Sequence, residues 1–234
     1  MKTGGIVSIL LVLFLAGAQA NNYDNTVSKG KHDTKRYVKY VISPLMEFSS
    51  DIAYGTLHFQ MSVFKNKGEK PHIYNCTLEF SRWPNVASAL PSIVLTVGDT
   101  LLYVTDRDSL YVFDLTMKKQ TVGDFKAALN FICENQFISF YAYYYSLSGK
   151  AENVSVVKEK QFVSSEFEFY PNSENGNGNK GYHQFVYQPA TNLLSKYIYE
   201  PSTGSDFERI ECELIDFQRS ISPSALREWV ALMK

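Results

Sequence analysis

Thr56-Leu57-His58-Phe59-Gln60-Met61-Ser62-Val63 alternates apolar and polar residues without a break. Leu57, Phe59, Met61 and Val63 face one way, and Thr56, His58, Gln60 and Ser62 the other. Period two over this length predicts a strand with one dry and one wet face. Asn66-Lys67-Gly68-Glu69 then reads as a turn into a second strand, His72 to Phe80. Outward from this pair, strands are predicted at Arg36 to Ile42, Ser92 to Val97, Leu101 to Thr105, Leu110 to Leu115, Phe137 to Leu147 and Asn153 to Val157. Later ones follow at Phe162 to Tyr170, Tyr182 to Tyr187, Leu193 to Tyr199 and Phe207 to Phe217. Gly98-Asp99 and Asp106-Arg107-Asp108 supply tight connections. The expected class is mainly β: an antiparallel meander, sandwich-like or barrel-like.

Two helices interrupt the strands. In Asp124 to Glu134, Phe125, Ala128, Leu129 and Ile132 recur at helical spacing, and Asp124 is placed to cap. At the C-terminus Ser222 precedes Pro223, and Leu226, Trp229, Val230 and Met233 form an amphipathic stripe expected to dock on the sheet. Asn172 to Lys180, rich in Asn and Gly, lacks side chains able to hold a core and reads as a long hairpin tip.

The start of the chain reads as an address. Lys2, the apolar run Ile6 to Leu15 and the small-x-small site Ala18-Gln19-Ala20 make residues 1–20 a cleavable signal peptide. The apolar run is short of the roughly 20 residues a spanning helix needs, and no later segment is apolar enough to span. The expected localisation is secreted and extracellular. Residues 21–35, with Lys29, Lys31 and Lys35, are expected to be a flexible arm, and 36–234 a single β-rich domain. A weak internal duplication is traced between 36–85 and 181–220, where His72 to Arg82 resembles Arg209 to Arg219 with one offset after the cysteine.

Sixteen Tyr and sixteen Phe against two Trp suit half-buried pleated surfaces. Without Lys2, 22 of the 23 basic residues remain against 24 acidic ones, a net charge of about −2. Neither a nucleic-acid groove nor a polybasic membrane patch fits so balanced a chain.

Cys76, Cys133 and Cys212 are too few for a disulfide-stapled miniprotein and too widely spaced for a zinc module. In an oxidising compartment the expectation is one bridge, Cys76 to Cys212, as inward positions on two similar strands, with Cys133 reduced. Pairings through Cys133 stay open. Asn75-Cys76-Thr77 and Asn153-Val154-Ser155 are glycosylation sequons, and alternation places Asn75 on the wet side of its strand.

His32, His58, His72 and His183 are isolated, so neither a metal site nor a cofactor site emerges. Glu166 and Glu168 share a strand face, and His183 follows across the hairpin. Such a grouping could do acid–base work, yet alternating charge is also what any wet strand face carries. No nucleophile elbow or phosphate loop is present. An exported β-rich chain with a C-terminal helix resembles the lipocalin-type carriers in fold class alone. Neither Trp83 nor Trp229 has glycine two positions before it, so no site transfers.

The resulting expectation is a non-enzymatic, secreted binding protein. It would act on an extracellular protein or other macromolecule through an aromatic-rich sheet surface or loops, such as Tyr141-Ala142-Tyr143-Tyr144-Tyr145. The alternatives are a carrier of a small apolar ligand in a lipocalin-like barrel, and a ribonuclease-like secreted hydrolase.

Overall fold

The computed structural model describes residues 29–81, 91–106, 109–142, 149–171, 180–202 and 205–219. The expected signal peptide, Trp83, Tyr143 to Tyr145, the Asn/Gly stretch up to residue 179 and the expected C-terminal amphipathic stripe lie outside the described residues, as does the side chain of Cys133.

Among the described residues eleven strands form one antiparallel sheet: β1 (Tyr54–Phe64), β2 (His72–Ser81), β3 (Ser92–Val97), β4 (Leu101–Asp106), β5 (Ser109–Asp114), β6 (Lys119–Gly123), β7 (Gly149–Lys158), β8 (Val163–Pro171), β9 (Gly181–Gln188), β10 (Leu193–Pro201) and β11 (Arg209–Gln218). Their spatial order is β6-β5-β4-β3-β2-β1-β11-β10-β9-β8-β7. Each half of the chain is a meander of neighbouring hairpins, and the halves join where β1 pairs with β11 from Thr56↔Gln218 to Phe64↔Arg209. The antiparallel meander is as the sequence predicts. Among the described residues β6 and β7 end the order, unpaired on their outer sides.

Alternation sets what faces inward. Leu57 and Phe59 of β1, Cys76, Leu78 and Phe80 of β2, and Phe167, Phe169, Phe185 and Tyr197 of the far wing are all buried in one continuous core. Helices cover this side: α1 (Lys29–Tyr37), a π-helical turn over Val38–Ile42, α2 (Ser43–Asp51), α3 (Phe125–Glu134) and α4 (Gln136–Ala142). Asp124 caps α3 as expected, its carboxylate accepting from the Ala127 N–H at 3.0 Å.

Two strand expectations are corrected. Arg36 to Ile42 is helical, because Tyr37, Val41, Leu45, Phe48 and Ile52 form one buried stripe running through α1, the π turn and α2. Burying a side chain of that size contributes about 1.5–3 kcal/mol, more than the modest β preference of Val and Tyr. Phe137 onward is helical too: Phe137, Phe140 and Tyr141, at i, i+3 and i+4, all reach the core. The segment expected to close a flexible arm likewise becomes α1, lying against β7. Arg36 Nη1 donates to Val154 O at 3.1 Å, and the Asn153 N–H donates to Asp33 Oδ2 at 3.2 Å. These two bonds satisfy backbone groups at a bulge in the edge strand, where Asn153 adopts φ 54°.

Candidate functional site

The wing made of β8, β9 and β10 carries different chemistry on its two sides. Inward, His183 is 1% exposed and walled by rings. It stacks on Phe167 at 5.6 Å and Tyr199 at 4.8 Å, meets Phe169 edge-on at 5.7 Å, and shares a 3.1 Å hydrogen bond between Nδ1 and the Tyr197 hydroxyl. Glu166 and Glu168 point the opposite way. The register explains this: His183 lies opposite Phe167, while Glu166 faces Gln184 and Glu168 faces Tyr182. The acid–base grouping is therefore not assembled, since the sheet itself separates the imidazole from both carboxylates. Gln184 instead holds Glu166 with an Nε2 donor at 2.9 Å.

The expected disulfide is also corrected. Cys76 and Cys212 are both inward and buried as predicted, yet both are free thiols. β1 runs between them, with Phe59 opposite Cys76 and Met61 opposite Cys212. Two strand spacings separate their backbones by about 10 Å, beyond the roughly 7 Å across which a disulfide closes. Burial pushes the Cys76 thiol up to about 12. Burial also raises Cys212, helped by the electrostatic effects of Cys76 and Glu211. Both sequon asparagines, Asn75 on β2 and Asn153 at the β7 bulge, are exposed.

Outward, the same wing has a recess of about 280 Å³ lined by Glu168, Tyr170, Lys180, Gly181, Tyr182, Glu200, Pro201 and Ser202. Cross-strand pairing builds it. Glu168, Tyr182 and Glu200 stand side by side on β8, β9 and β10, placing a phenol ring between two carboxylates. At the strand ends the Ser202 N–H donates to Lys180 O at 2.9 Å and keeps β9 and β10 together. Gly181 permits that approach: a Cβ there would lie 2.1 Å from Glu200 O, and its φ is +157°.

Of the residues lining the recess, Glu168 and Glu200 are acidic and Lys180 basic, and Lys150, opposite Tyr170 on β7 and paired with Glu152, lies beside it. Lys180 Nζ sits 5.3 Å from the centre of the Tyr170 ring. The Tyr170 hydroxyl donates to Glu168 Oε2 at 3.4 Å, and the Glu168 charge raises the Tyr170 pKa above its ordinary value. Burial raises that of Tyr182, reinforced by Glu166 and Glu200. The phenols thus stay neutral donors and aromatic faces beside the carboxyl groups. Among the described residues there is no group of three or more His, Cys, Asp or Glu placed to hold a metal ion.

Sequence reasoning singled out Glu168 but missed Tyr170, Lys180, Tyr182 and Glu200. Outward alternation on three consecutive strands was legible. The register that sets Glu168, Tyr182 and Glu200 in one row was not, because it depends on the β8–β9 connection and on a bulge between Leu194 and Lys196.

No family model matches the sequence, and no curated protein matches it significantly. Among solved structures, the chain is similar to a domain from Vibrio parahaemolyticus assigned to outer membrane lipoprotein sorting. The identity is 9% and the TM-score 0.43, over 81% of this chain and 97% of that one. It is also similar to a LolA superfamily protein from Nitrosomonas europaea (7% identity, TM-score 0.40, 79% and 96% covered). A third likeness is to the Mycobacterium tuberculosis lipoprotein LppX (9%, 0.41, 77% and 94%). These likenesses concern the course of the chain and transfer no residue, ligand or partner.

Proposed function

We propose that the protein is an exported binding protein that engages an extracellular macromolecule through the outer face of its β8–β10 wing. The observation that carries this reading is the recess of about 280 Å³ in which two tyrosine rings and two carboxylates are presented to solvent from paired strands. Strands hold such groups more firmly than loops do, which favours recognition of a defined chemical group. The volume falls just below the range of about 300–1,000 Å³ usual for drug-sized ligands. It suits a single side chain projecting from a partner's surface. Export follows the Ala18-Gln19-Ala20 site, and glycans at Asn75 and Asn153 belong to the same proposal.

The test is an amide-resolved NMR titration of isotope-labelled protein with capped amino-acid amides of acidic, basic, aromatic and aliphatic type. Shifts clustered on Glu168, Gly181, Tyr182, Glu200 and Ser202 are expected for at least one probe. No response from any probe, or responses confined to other parts of the sheet, would refute the reading.

A second reading, carriage of a small apolar ligand, is favoured by the layer between helices and sheet. There Phe48 and Phe140 lie 6.0 Å apart and Phe59 and Phe137 4.6 Å apart, with Phe185 beneath. A ligand would enter by displacing α2 or α4 and exposing these rings. Native mass spectrometry of the secreted protein, before and after organic extraction, would reveal it as a lost mass. Among the described residues no helix is long and apolar enough to cross a membrane.

A further inference from the structure

We infer that the outer recess recognises an organic ammonium group, presented as a lysine side chain or as a free primary amine. The inference rests on the reading of this face as a binding surface and assigns its ligand class. Two kinds of observation converge on it. The first is the lining, in which Glu168 and Glu200 flank the Tyr182 ring and Tyr170 lies alongside. Carboxylates attract a cation, and phenol faces attract it through their negative quadrupole, whereas an anion is repelled by the carboxylates. The second is that the recess already holds such a group. Lys180 Nζ lies 5.3 Å from the centre of the Tyr170 ring, and Lys180 itself lines the recess. It occupies the place an incoming ammonium would take.

Gly181 brings β9 against β10 so closely that a Cβ would overlap Glu200 O at 2.1 Å. Both Lys180 and Glu200 are exposed, so changing them leaves the core untouched. Single exposed charge pairs and cation–π contacts are individually weak. The affinity for one ammonium is accordingly expected in the millimolar range, rising when several are linked in one partner.

The experiment follows chemical shifts of Gly181 and Ser202 amides while Nα-acetyl-lysine methylamide is added. Its Nζ-acetylated counterpart serves as the neutral control, and cadaverine as the free amine. The lysine amide is expected to shift both amides and the acetylated one to leave them unmoved. E200Q should weaken binding about threefold, as loss of one exposed charge pair does. K180M should tighten it by a similar factor, because the internal competitor is gone. Cadaverine binding as well as the lysine amide would identify the ammonium alone as the recognised group; tighter binding of the lysine amide would identify lysine within a chain. Equal shifts from the acetylated control, or affinities unchanged in both E200Q and K180M, would overturn the inference. If only acidic or aromatic probes shift these amides, the face remains a binding surface and the ammonium assignment fails. If no probe does, both fail together.

Discussion

Replacing Tyr141 with Phe removes a single oxygen from the centre of the molecule. Tyr141 is 0% exposed and packs edge-on against Phe48 at 5.3 Å, Phe137 at 5.2 Å and Phe140 at 5.3 Å, while its hydroxyl donates to Leu194 O. The bulge between Leu194 and Lys196 interrupts the β9–β10 ladder at that point, so the phenol supplies a donor where regular pairing lapses. Phenylalanine keeps the ring contacts and orphans the carbonyl. A buried acceptor left unsatisfied costs about 1–3 kcal/mol, so a loss near 2 kcal/mol is expected. Truncation to alanine would add a cavity and cost about 3–5 kcal/mol. Urea unfolding of Tyr141→Phe should show a lower midpoint with an unchanged slope, and melting should fall by roughly 4–8 °C for a chain of this size. A loss below about 0.5 kcal/mol, with the slope intact, would refute the reasoning, because the Leu194 carbonyl would then have another donor.

Three further outcomes are expected. Cys76, Cys212, Tyr37, Tyr141 and Tyr197 all have pKa values raised by burial, so each keeps its proton in the fold and releases it more readily when unfolded. Their contribution is complete below about pH 9 and declines as pH rises toward the folded values, by about 1.4 kcal/mol per pH unit for each group in its window; melting curves from pH 8 to 11 that stay level would contradict this. Gly181→Ala, forced against Glu200 O, should cost about 2 kcal/mol or more in denaturant and disturb the Gly181 and Ser202 region; a neutral effect would mean β9 and β10 do not meet as described. Native protein should leave Cys76 and Cys212 unreactive toward thiol reagents, and non-reducing peptide maps should recover both reduced; a Cys76–Cys212 bridge would contradict the strand order.

The strands were legible where the wet and dry faces differ. β2 and β9 alternate in burial along most of their length, and the predicted bounds of β1, β2, β9 and β10 lie within two residues of those observed. β6 escaped notice because Lys119 to Val122 are all exposed, and a strand with no buried face leaves no apolar period. The two segments misread as strands, Arg36 to Ile42 and Phe137 onward, are rich in aromatic and β-branched residues whose propensity favours sheet. In both, helical spacing was present in the sequence: Tyr37, Val41, Leu45 and Phe48 in one, Phe137, Phe140 and Tyr141 in the other. Strand propensity and helical spacing conflict in both segments, and burial against the sheet decides for helix. The candidate site was half legible for a related reason. Outward direction is a property of one strand, but the row Glu168, Tyr182, Glu200 is a property of three.

The likeness between His72–Arg82 and Arg209–Arg219 acquires a physical meaning from the topology. β2 and β11 are the two strands that flank β1, one on each side, both antiparallel to it. Each must offer inward residues small enough to pack beside Phe59 and Met61, and each places a cysteine there, Cys76 opposite Phe59 and Cys212 opposite Met61. A thiol is a compact, weakly polar group that buries readily and needs little hydrogen bonding. The same demand on both sides of one strand accounts for the shared pattern, and it also explains why the cysteines resemble a bonded pair in sequence while β1 keeps them apart. Among the described residues β1 is the first strand along the chain and β11 the last, so this trio joins the two wings. Disturbing β1 should therefore loosen both wings at once, whereas damage to the outer recess should leave the β1 seam intact. The outward row of Glu168, Tyr182 and Glu200 lies outside the buried core that β1 organises.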